Sequence, residues 1–306
     1  MAVEVDPVLQ QVLEAVPFRL TTDGGPEDAR QRFRDLPRRE LHPEVNADDR
    51  VIDSPAGPVP VRVYRPPTGE AVLPVVIFVH GGGWSVGDLD TYDGTARLHA
   101  AGGAAVVVSV DYRLAPEHPY PAAVEDTWAV AQWVFDNADA LGGDPQRVAV
   151  AGDSAGGNLA AVVAQLARDA GQALRMQLLW YPSTTFDTSL PSFAENSEAP
   201  ILSLDACKGF TRWYLGDAAV SPPPATLVPA RGDLTGTAPA YIAVAGHDPL
   251  RDDGVRYAEL LSAAGVPVEL HTADALVHGY LGYAGVVPAA TEATHRGLRA
   301  LRDALA

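Results

Sequence analysis

Short runs of almost wholly apolar residues recur along most of this chain, and helical segments separate most of them. The runs with β character lie at 75–79, 104–110, 147–151, 174–180, 240–245 and 266–271. Strands that are apolar throughout are typical of a parallel sheet covered by helices on both faces. The pattern therefore predicts an α/β fold with six parallel strands and with helices at 92–101, 121–138, 155–170, 252–264 and 288–305.

Two further strands precede this series. Segments 50–54 and 59–64 flank the turn sequence Pro-Ala-Gly-Pro at 55–58, which predicts an antiparallel hairpin. Together with the six parallel strands, the hairpin predicts an eight-stranded, mostly parallel sheet. We assign this α/β core to 46–182 and 236–306.

Other segments fit no strand pattern and predict a small helical cap. Residues 5–16 carry apolar side chains at helical spacing, and a second helical segment, 26–36, stops before Pro37. The connection 183–235 is too long for a plain crossover, and a loop of that length inside a compact domain usually covers a site. We therefore assign 1–45 and 183–235 to the cap.

Composition excludes several classes of function. The 306 residues carry 22 basic and 39 acidic side chains, a formal net charge of −17, which is the wrong sign for binding nucleic acid or an anionic membrane. The single cysteine, Cys207, excludes an internal disulfide and a cysteine-based zinc site. No apolar run approaches the roughly 18 to 20 residues that span a bilayer. The first residues lack a secretory signal pattern, so we expect a cytoplasmic protein.

Five arginines between residues 30 and 39 form the densest basic cluster of the chain. They alternate with the acidic residues Glu27, Asp28, Asp35 and Glu40. Such alternation predicts a solvated helix face that neutralises its own charge, and not an anion site.

The sequence Gly152-Asp153-Ser154-Ala155-Gly156 follows an apolar strand and precedes an alanine-rich helical run. Strand, sharp turn and helix make a nucleophile elbow, in which glycines on both sides of the serine permit the bend that exposes its hydroxyl. The pentapeptide alone would arise by chance in roughly one in ten chains this rich in glycine. The prediction that Ser154 is a nucleophile therefore rests on the strand before the pentapeptide and the helix after it.

A serine hydroxyl needs a base that takes its proton and a third group that orients the base. Among eight histidines, His278 follows the last predicted strand and precedes the last helix, where a loop can carry its imidazole to the serine. Four rivals lie inside a strand or helix, beside the candidate acid, or in a proline-rich loop: His271, His295, His247 and His118. We predict His278 as the base.

Asp248 is the candidate for the orienting acid. It follows the strand 240–245 and lies between the serine and the histidine in chain order, as the nucleophile-elbow arrangement requires. Asp252 and Asp253 come shortly after it at the expected start of a helix, where a carboxylate already has a role as cap and dipole partner.

The run His-Gly-Gly-Gly-Trp at 80–84 follows a buried strand and predicts an oxyanion hole. Glycine N–H groups can be aimed at a developing charge without side-chain obstruction. A phosphate loop is the competing interpretation, but neither G-x-G-x-x-G nor G-x-x-x-x-G-K-[ST] occurs. The N–H of Ala155, at the start of the elbow helix, is expected to be another donor.

With these motifs the chain resembles the α/β-hydrolase superfamily and, within it, the bacterial hormone-sensitive-lipase-like carboxylesterases, called family IV. The matching motifs follow the family order, with HGGGW at 80–84, DYRLAPEH at 111–118, GDSAGG at 152–157, DPLRD at 248–252 and HGY at 278–280. The resemblance implies that Ser154 attacks the ester, that His278 acts as general base and then acid, and that Asp248 orients it.

The resemblance also implies an oxyanion hole made by the N–H groups of Gly82, Gly83 and Ala155, with His80 and 112–118 bracing the glycine loop. It implies hydrolysis of small-molecule esters with short to medium acyl chains, without metal or other cofactor, in a family where homodimers are common. Four aromatic residues are expected either to line the pocket or to pack in the core: Trp84, Phe210, Trp213 and Tyr214.

Two alternatives remain open at this point. An amidase or peptidase would use the same three residues on another substrate. A ligand receptor on the same fold, like the plant gibberellin receptors that resemble these esterases, would have lost the catalytic histidine, whereas this chain retains a candidate at 278.

Overall fold

A single sheet of eight strands organises the computed structural model, which describes residues 3–216 and 221–306. The strands are β1 (Asn46–Ile52), β2 (Val59–Arg65), β3 (Leu73–Val79), β4 (Val106–Val110), β5 (Gly143–Asp153), β6 (Gln177–Trp180), β7 (Ala240–His247) and β8 (Val268–Val277). Their spatial order is β1-β2-β4-β3-β5-β6-β7-β8. The eight-stranded, mostly parallel sheet predicted from the sequence is confirmed.

Only β2 runs against the rest of the sheet. It is antiparallel to both of its neighbours, β1 and β4, and every other neighbouring pair of described strands is parallel. The predicted hairpin forms, but because β1 and β2 oppose each other, β1 shares the direction of the six parallel strands.

Helices cover both faces of the sheet. They are α1 (Pro7–Ala15), α2 (Pro26–Arg34), α3 (Asp93–Gly103), α4 (Ala122–Asn137), α5 (Ala155–Asp169), α6 (Pro191–Glu195), α7 (Leu204–Leu215), α8 (Arg251–Ala263) and α9 (Pro288–Ala304). One core cluster joins α4, α5 and α8 to the sheet, and a second joins α1, α3 and α9 to the opposite face. Across the described ranges, no helix combines the length and the apolar character needed to cross a bilayer.

The bounds of β1 and β8 differ from the predicted ones, and the difference in β8 bears on the site. β1 begins at Asn46, four residues early, because pairing with β2 holds a stretch whose first six residues are exposed and mostly polar. β8 continues to Val277, six residues beyond the predicted end. His278 therefore follows the strand directly, and not after a loop.

Helices α2, α6 and α7 meet in a small apolar cluster of their own. Ala29, Phe193 and Phe210 contribute to it, together with Val86 and Leu250 from loops of the α/β core. Of the insertion predicted at 183–235, residues 217–220 lie outside the described part of the chain.

The arginine cluster only partly neutralises itself. Arg34 pairs with Glu27, as expected. Arg30 instead reaches the core, where it donates to the carbonyls of Ser85 at 2.9 Å and Ala115 at 3.0 Å and pairs with Glu117. For Arg30 the prediction of a solvated, self-neutralising face was wrong, because its side chain ties α2 to the core and is not exposed with its neighbours.

Candidate active site

Ser154 occupies a strained turn between β5 and α5. Its φ of 54° and ψ of −118° lie in a region that side-chain-bearing residues rarely adopt. The Ser154 N–H donates to the carbonyl of Trp180, at the end of β6, at 2.8 Å. The surrounding sheet therefore fixes the strained residue at the end of a buried strand, with 8% of its surface exposed.

The flanking glycines are required by close backbone contacts. A Cβ on Gly152 would overlap the carbonyl of Gly156. A Cβ on Gly156 would overlap the carbonyl oxygens of Val79 and His80, at the end of β3. The elbow can bend this tightly only because both positions lack a side chain.

The three residues singled out from the sequence lie in one hydrogen-bonded chain. His278 Nε2 is 2.9 Å from Ser154 Oγ, and His278 Nδ1 is 2.7 Å from Asp248 Oδ2. The other carboxylate oxygen of Asp248 accepts the N–H of Leu250 at 2.8 Å. Both His278 and Asp248 are buried. Asp248 follows β7 and His278 follows β8, so two neighbouring parallel strands deliver them to one edge of the sheet.

The rival residues have other contacts. Asp252 accepts the Ser192 N–H at 2.9 Å and pairs with Arg251. Asp253 is buried beneath the start of the insertion, where it accepts the N–H groups of Thr184 and Thr185 and where burial raises its pKa to about 6. Throughout the described residues, none of the rival histidines forms a hydrogen bond with Ser154.

Two N–H groups of the glycine loop and one of the elbow helix have no hydrogen-bond partner in the described parts of the chain. Gly82 and Gly83 have φ of 103° and 59°, which glycine adopts without strain. The N–H groups of Gly82, Gly83 and Ala155 donate no hydrogen bond within 3–216 and 221–306. Gly82 lines the same cavity as Ser154, and Ala155 follows Ser154 directly, so these donors remain available to a ligand oxygen there.

Buried aromatic residues support this loop from behind. The ring of His80 stacks on Tyr112 with centroids 4.3 Å apart, and the Tyr112 hydroxyl donates to the His80 carbonyl at 2.8 Å. Burial lowers the pKa of His80 to about 4, so this imidazole is neutral at pH 7. The Ala115 N–H donates to the carbonyl of Trp84 at 2.9 Å. These contacts are those expected of a bracing role for His80 and 112–118.

Asp153 is a residue of the site that sequence reasoning missed. Its carboxylate accepts the Gly81 N–H at 2.9 Å and the Tyr92 hydroxyl at 3.2 Å, and so joins the elbow to the glycine loop. Burial raises its pKa to about 6, against the opposing effects of the Gly81 N–H and of the nearby His278. The residue stood inside the elbow motif, but spacing alone does not show where its side chain points.

A cavity of about 400 Å³ opens beside Ser154 and His278. Its apolar walls come mainly from the N-terminal segment and from the region after β8, with one contribution from the insertion, and include Phe18, Leu20, Phe33, Ile201, Leu281 and Val286. Tyr181 also lines it and packs edge-on against the His278 ring at 4.8 Å. Residues 12–41 thus contribute more of the lining than any other segment of the described chain.

The four aromatic residues considered as pocket walls do not line this cavity. Trp84 stacks flat on Tyr214, with ring centroids 4.3 Å apart and planes within 4°, and both are buried. Phe210 packs beside Gly83 and meets Trp213 edge-on at 5.6 Å. The buried members Trp84, Phe210 and Tyr214 thus pack against other aromatic rings, away from this cavity.

Comparisons with known proteins cover nearly the whole chain. The model of a family described as alpha/beta hydrolase fold matches residues 76–282. Esterase LipI of Mycobacterium tuberculosis is 62% identical over 305 residues, 98% of this chain and 95% of that protein. Carboxylesterase NlhH of the same species is 56% identical over 308 residues, with 99% and 97% covered. The crystal structure of DphMB1 is similar with a TM-score of 0.96 at 68% identity, covering 98% of this chain and 99% of that one.

Proposed function

The chain belongs to the hormone-sensitive-lipase-like, family IV carboxylesterases of the α/β-hydrolase superfamily and is a carboxylic ester hydrolase, and on this premise we propose that it cleaves esters with short to medium acyl chains through an acyl-enzyme on Ser154. The observation that carries the proposal is the hydrogen-bonded chain from Asp248 through His278 to Ser154.

In the first half of the proposed reaction, Ser154 Oγ attacks the ester carbonyl while His278 Nε2 takes its proton. Asp248 accepts the Nδ1–H, which leaves Nε2 with its lone pair towards the serine, and stabilises the imidazolium that forms. The former carbonyl oxygen of the resulting tetrahedral intermediate carries the new negative charge. When this intermediate collapses, His278 gives its proton to the departing alcohol.

In the second half, a water molecule loses a proton to His278 Nε2 and attacks the acyl carbonyl. Collapse of this intermediate returns the proton to Ser154 and releases the carboxylic acid. In both halves the N–H groups of Gly82, Gly83 and Ala155 would bind the oxyanion. Removing one donor of this kind typically costs about 3 to 4 kcal/mol in the transition state.

The cavity supports the preference for short to medium chains. It offers about 400 Å³ beside the reacting residues, within the range of small-molecule sites, and its walls are mainly apolar. Each methylene moved from water to such a surface contributes about 0.8 kcal/mol. Affinity is therefore expected to rise with chain length until the cavity is full.

We also propose that residues 1–45 and 183–235 act together as a cap. Support comes from the apolar cluster shared by α2, α6 and α7 and from the N-terminal side chains that line the cavity. The N–H of Leu20 donates to the carbonyl of Ile201 at 2.8 Å, which connects the two parts.

The test is hydrolysis of p-nitrophenyl esters from acetate to laurate by the wild type, by Ser154→Ala and by Ser189→Ala, which alters an exposed serine. We expect turnover that peaks at short or medium chains. Loss of a catalytic serine removes on the order of 10⁶ in kcat. Ser189→Ala should match the wild type. Equal turnover in Ser154→Ala and wild type would refute the assignment.

The same acyl groups presented as p-nitroanilides separate esterase from amidase chemistry. We expect the ester to be the far better substrate. Anilide hydrolysis at a comparable rate, also abolished by Ser154→Ala, would replace the proposal with an amidase.

A further inference from the structure

Two arginines stand in the wall of an otherwise mainly apolar cavity. Arg38 and Arg39 follow α2 and line the same space as Ser154 and His278. Both side chains are exposed. Among the described residues, Asp153 is the only acidic one that lines the space, and it is buried beside the serine and hydrogen-bonded to the glycine loop. The wall near residue 39 is therefore positively charged.

The Arg38 side chain is hydrogen-bonded to backbone carbonyls. Its guanidinium donates to the carbonyls of Thr91 at 2.9 Å, Arg34 at 2.9 Å and Leu36 at 3.0 Å, and to that of Phe33. It also lies over the Phe33 ring at 5.2 Å. Arg38 thus fixes the segment after α2 while its charge remains without a counter-ion.

Most N–H donors of Arg39 have no hydrogen-bond acceptor in the described parts of the chain. One of its N–H groups donates to the carbonyl of Gly285, in the loop after β8. A guanidinium has five N–H donors, so four of them meet no acceptor in the described parts of the chain. Since that single contact bridges the N-terminal and C-terminal walls, Arg39 is held at the opening with donors to spare.

Neither arginine forms an ion pair within 4.0 Å among residues 3–216 and 221–306, although carboxylates pair with Arg30, Arg32 and Arg34 just upstream. Acidic residues are in excess in this chain, whose net charge is −17, so two adjacent arginines without carboxylate partners are unexpected. The overall negative charge acts weakly on a bound ligand because salt screens it beyond about 8 Å at physiological ionic strength. At the opening the two guanidinium groups are the nearby positive charges, with Asp88 acting on Arg38 from beyond ion-pair distance and Asp153 buried beside the serine.

We propose that Arg39, assisted by the charge of Arg38, binds a carboxylate that the substrate carries at a distance from the scissile ester, so that the enzyme prefers ester acids to the corresponding neutral diesters. Guanidinium binds carboxylate in a two-donor geometry that an ammonium does not reproduce. The inference rests on the proposed esterase function of the same cavity, and it concerns selectivity within that function.

The test compares matched substrates that differ only in the remote charge. On the acyl side these are p-nitrophenyl hydrogen adipate, suberate and sebacate, each against its methyl ester. On the alcohol side, 4-acetoxybenzoate is compared with its methyl ester. The readout is the ratio of kcat/KM for the acid to that for its neutral partner. The two arms distinguish a carboxylate on the acyl group from one on the alcohol.

We expect the ratio to exceed one for at least one chain length and to fall about tenfold in Arg39→Gln. Arg39→Lys should recover part of it, because the charge returns without the two-donor geometry. Raising the salt concentration should lower the ratio in the wild type and much less in Arg39→Gln. The matched control is Arg302→Gln, since Arg302 is also exposed and also donates to a glycine carbonyl, that of Gly102, but does not line the cavity.

A ratio that is the same in wild type and Arg39→Gln for every pair would overturn the proposal, as would an equal fall in Arg302→Gln. A purely structural role for Arg39 would lower kcat/KM for acid and neutral ester together and leave the ratio unchanged. If no ester of either kind were hydrolysed, the proposed function itself would fail, which is a different result from hydrolysis without discrimination.

Discussion

The substitution Asp153→Asn separates the charge of a buried carboxyl from its hydrogen bonds. An amide oxygen can still accept the Gly81 N–H, and the amide nitrogen can donate to the Tyr92 oxygen, so the contacts between elbow and glycine loop can be kept. The negative charge is removed. The difference between the two proteins therefore reports the cost of ionising Asp153 inside the fold.

The magnitude follows from the pKa. Burial raises the pKa of Asp153 from 3.8 to about 6. A pKa that differs by about two between the folded and the unfolded protein changes the free energy of unfolding by about 3 kcal/mol. Between pH 4 and 6 the unfolded chain has released a proton that the folded protein still holds, so rising pH favours unfolding of the wild type across this window. Above pH 6 both states are ionised and the effect is constant.

Urea unfolding of wild type and variant, followed by tryptophan fluorescence at pH 4.5 and 7.5, measures this effect. Between pH 4.5 and 7.5 the wild type should lose about 2 kcal/mol of unfolding free energy relative to Asp153→Asn. The loss is smaller than about 3 kcal/mol because part of the titration of Asp153 lies below pH 4.5. The contributions of titrating groups that do not interact with Asp153, including the buried carboxyls of Asp111 and Asp253, whose pKa values are also raised, cancel in the subtraction.

Asp187→Asn serves as the control. Hydrogen bonds from Ser189 lower the pKa of this exposed carboxyl below 3.8, so it is ionised in both the folded and the unfolded protein and its difference should stay nearly constant from pH 4.5 to 7.5. A wild-type-minus-variant difference for Asp153 that stays as constant as the Asp187 control, or that rises with pH, would refute the reasoning.

Three further outcomes follow from contacts described above. Asp248→Asn should keep the fold but lower kcat for p-nitrophenyl butyrate by about 10⁴, because an amide N–H facing His278 Nδ1 selects the wrong tautomer; unchanged kcat would contradict the role of Asp248. Gly156→Ala should abolish folding or lower the melting temperature sharply, since its Cβ would overlap two backbone carbonyls, whereas Gly69→Ala, where no atom lies within 4 Å, should not. Arg30→Met should lower the free energy of unfolding by about 2 kcal/mol through loss of the bonds to Ser85, Ala115 and Glu117; Arg34→Met, on an exposed pair, should cost less than about 1 kcal/mol, and equal losses would count against the anchoring role.

The positions of the three candidate catalytic residues were predictable because each one follows a strand. Ser154, Asp248 and His278 come directly after β5, β7 and β8, and the carboxyl ends of parallel strands meet at one edge of a sheet. Apolar runs and glycine spacing are local signals, and these suffice to mark such ends. The geometry that joins the three side chains then follows from the sheet.

The walls of the cavity were not predictable in the same way. An aromatic residue in a loop or an insertion has the same sequence signature whether it faces an opening or packs on other rings, as Trp84 and Tyr214 do. Asp153 and Arg39 likewise have partners more than 70 residues away, Gly81 and Gly285 respectively. Contacts over such separations depend on the completed fold, and one sequence contains no local pattern that specifies them.

The separate origins of the cavity wall and the candidate catalytic residues have an evolutionary consequence. Residues 3–41 contribute no strand to the sheet, yet they form much of the cavity wall beside Ser154 and His278. They are joined to the core by Leu9 in a buried cluster, by the Arg30 side chain and by backbone contacts such as the Asp6 N–H on the Ala275 carbonyl at 2.8 Å. None of the described residues of this segment hydrogen-bonds to Ser154, so substitutions at its cavity-facing positions can change the wall and leave the bonds at Ser154 in place. Substrate range and chemical mechanism can thus diversify at different rates.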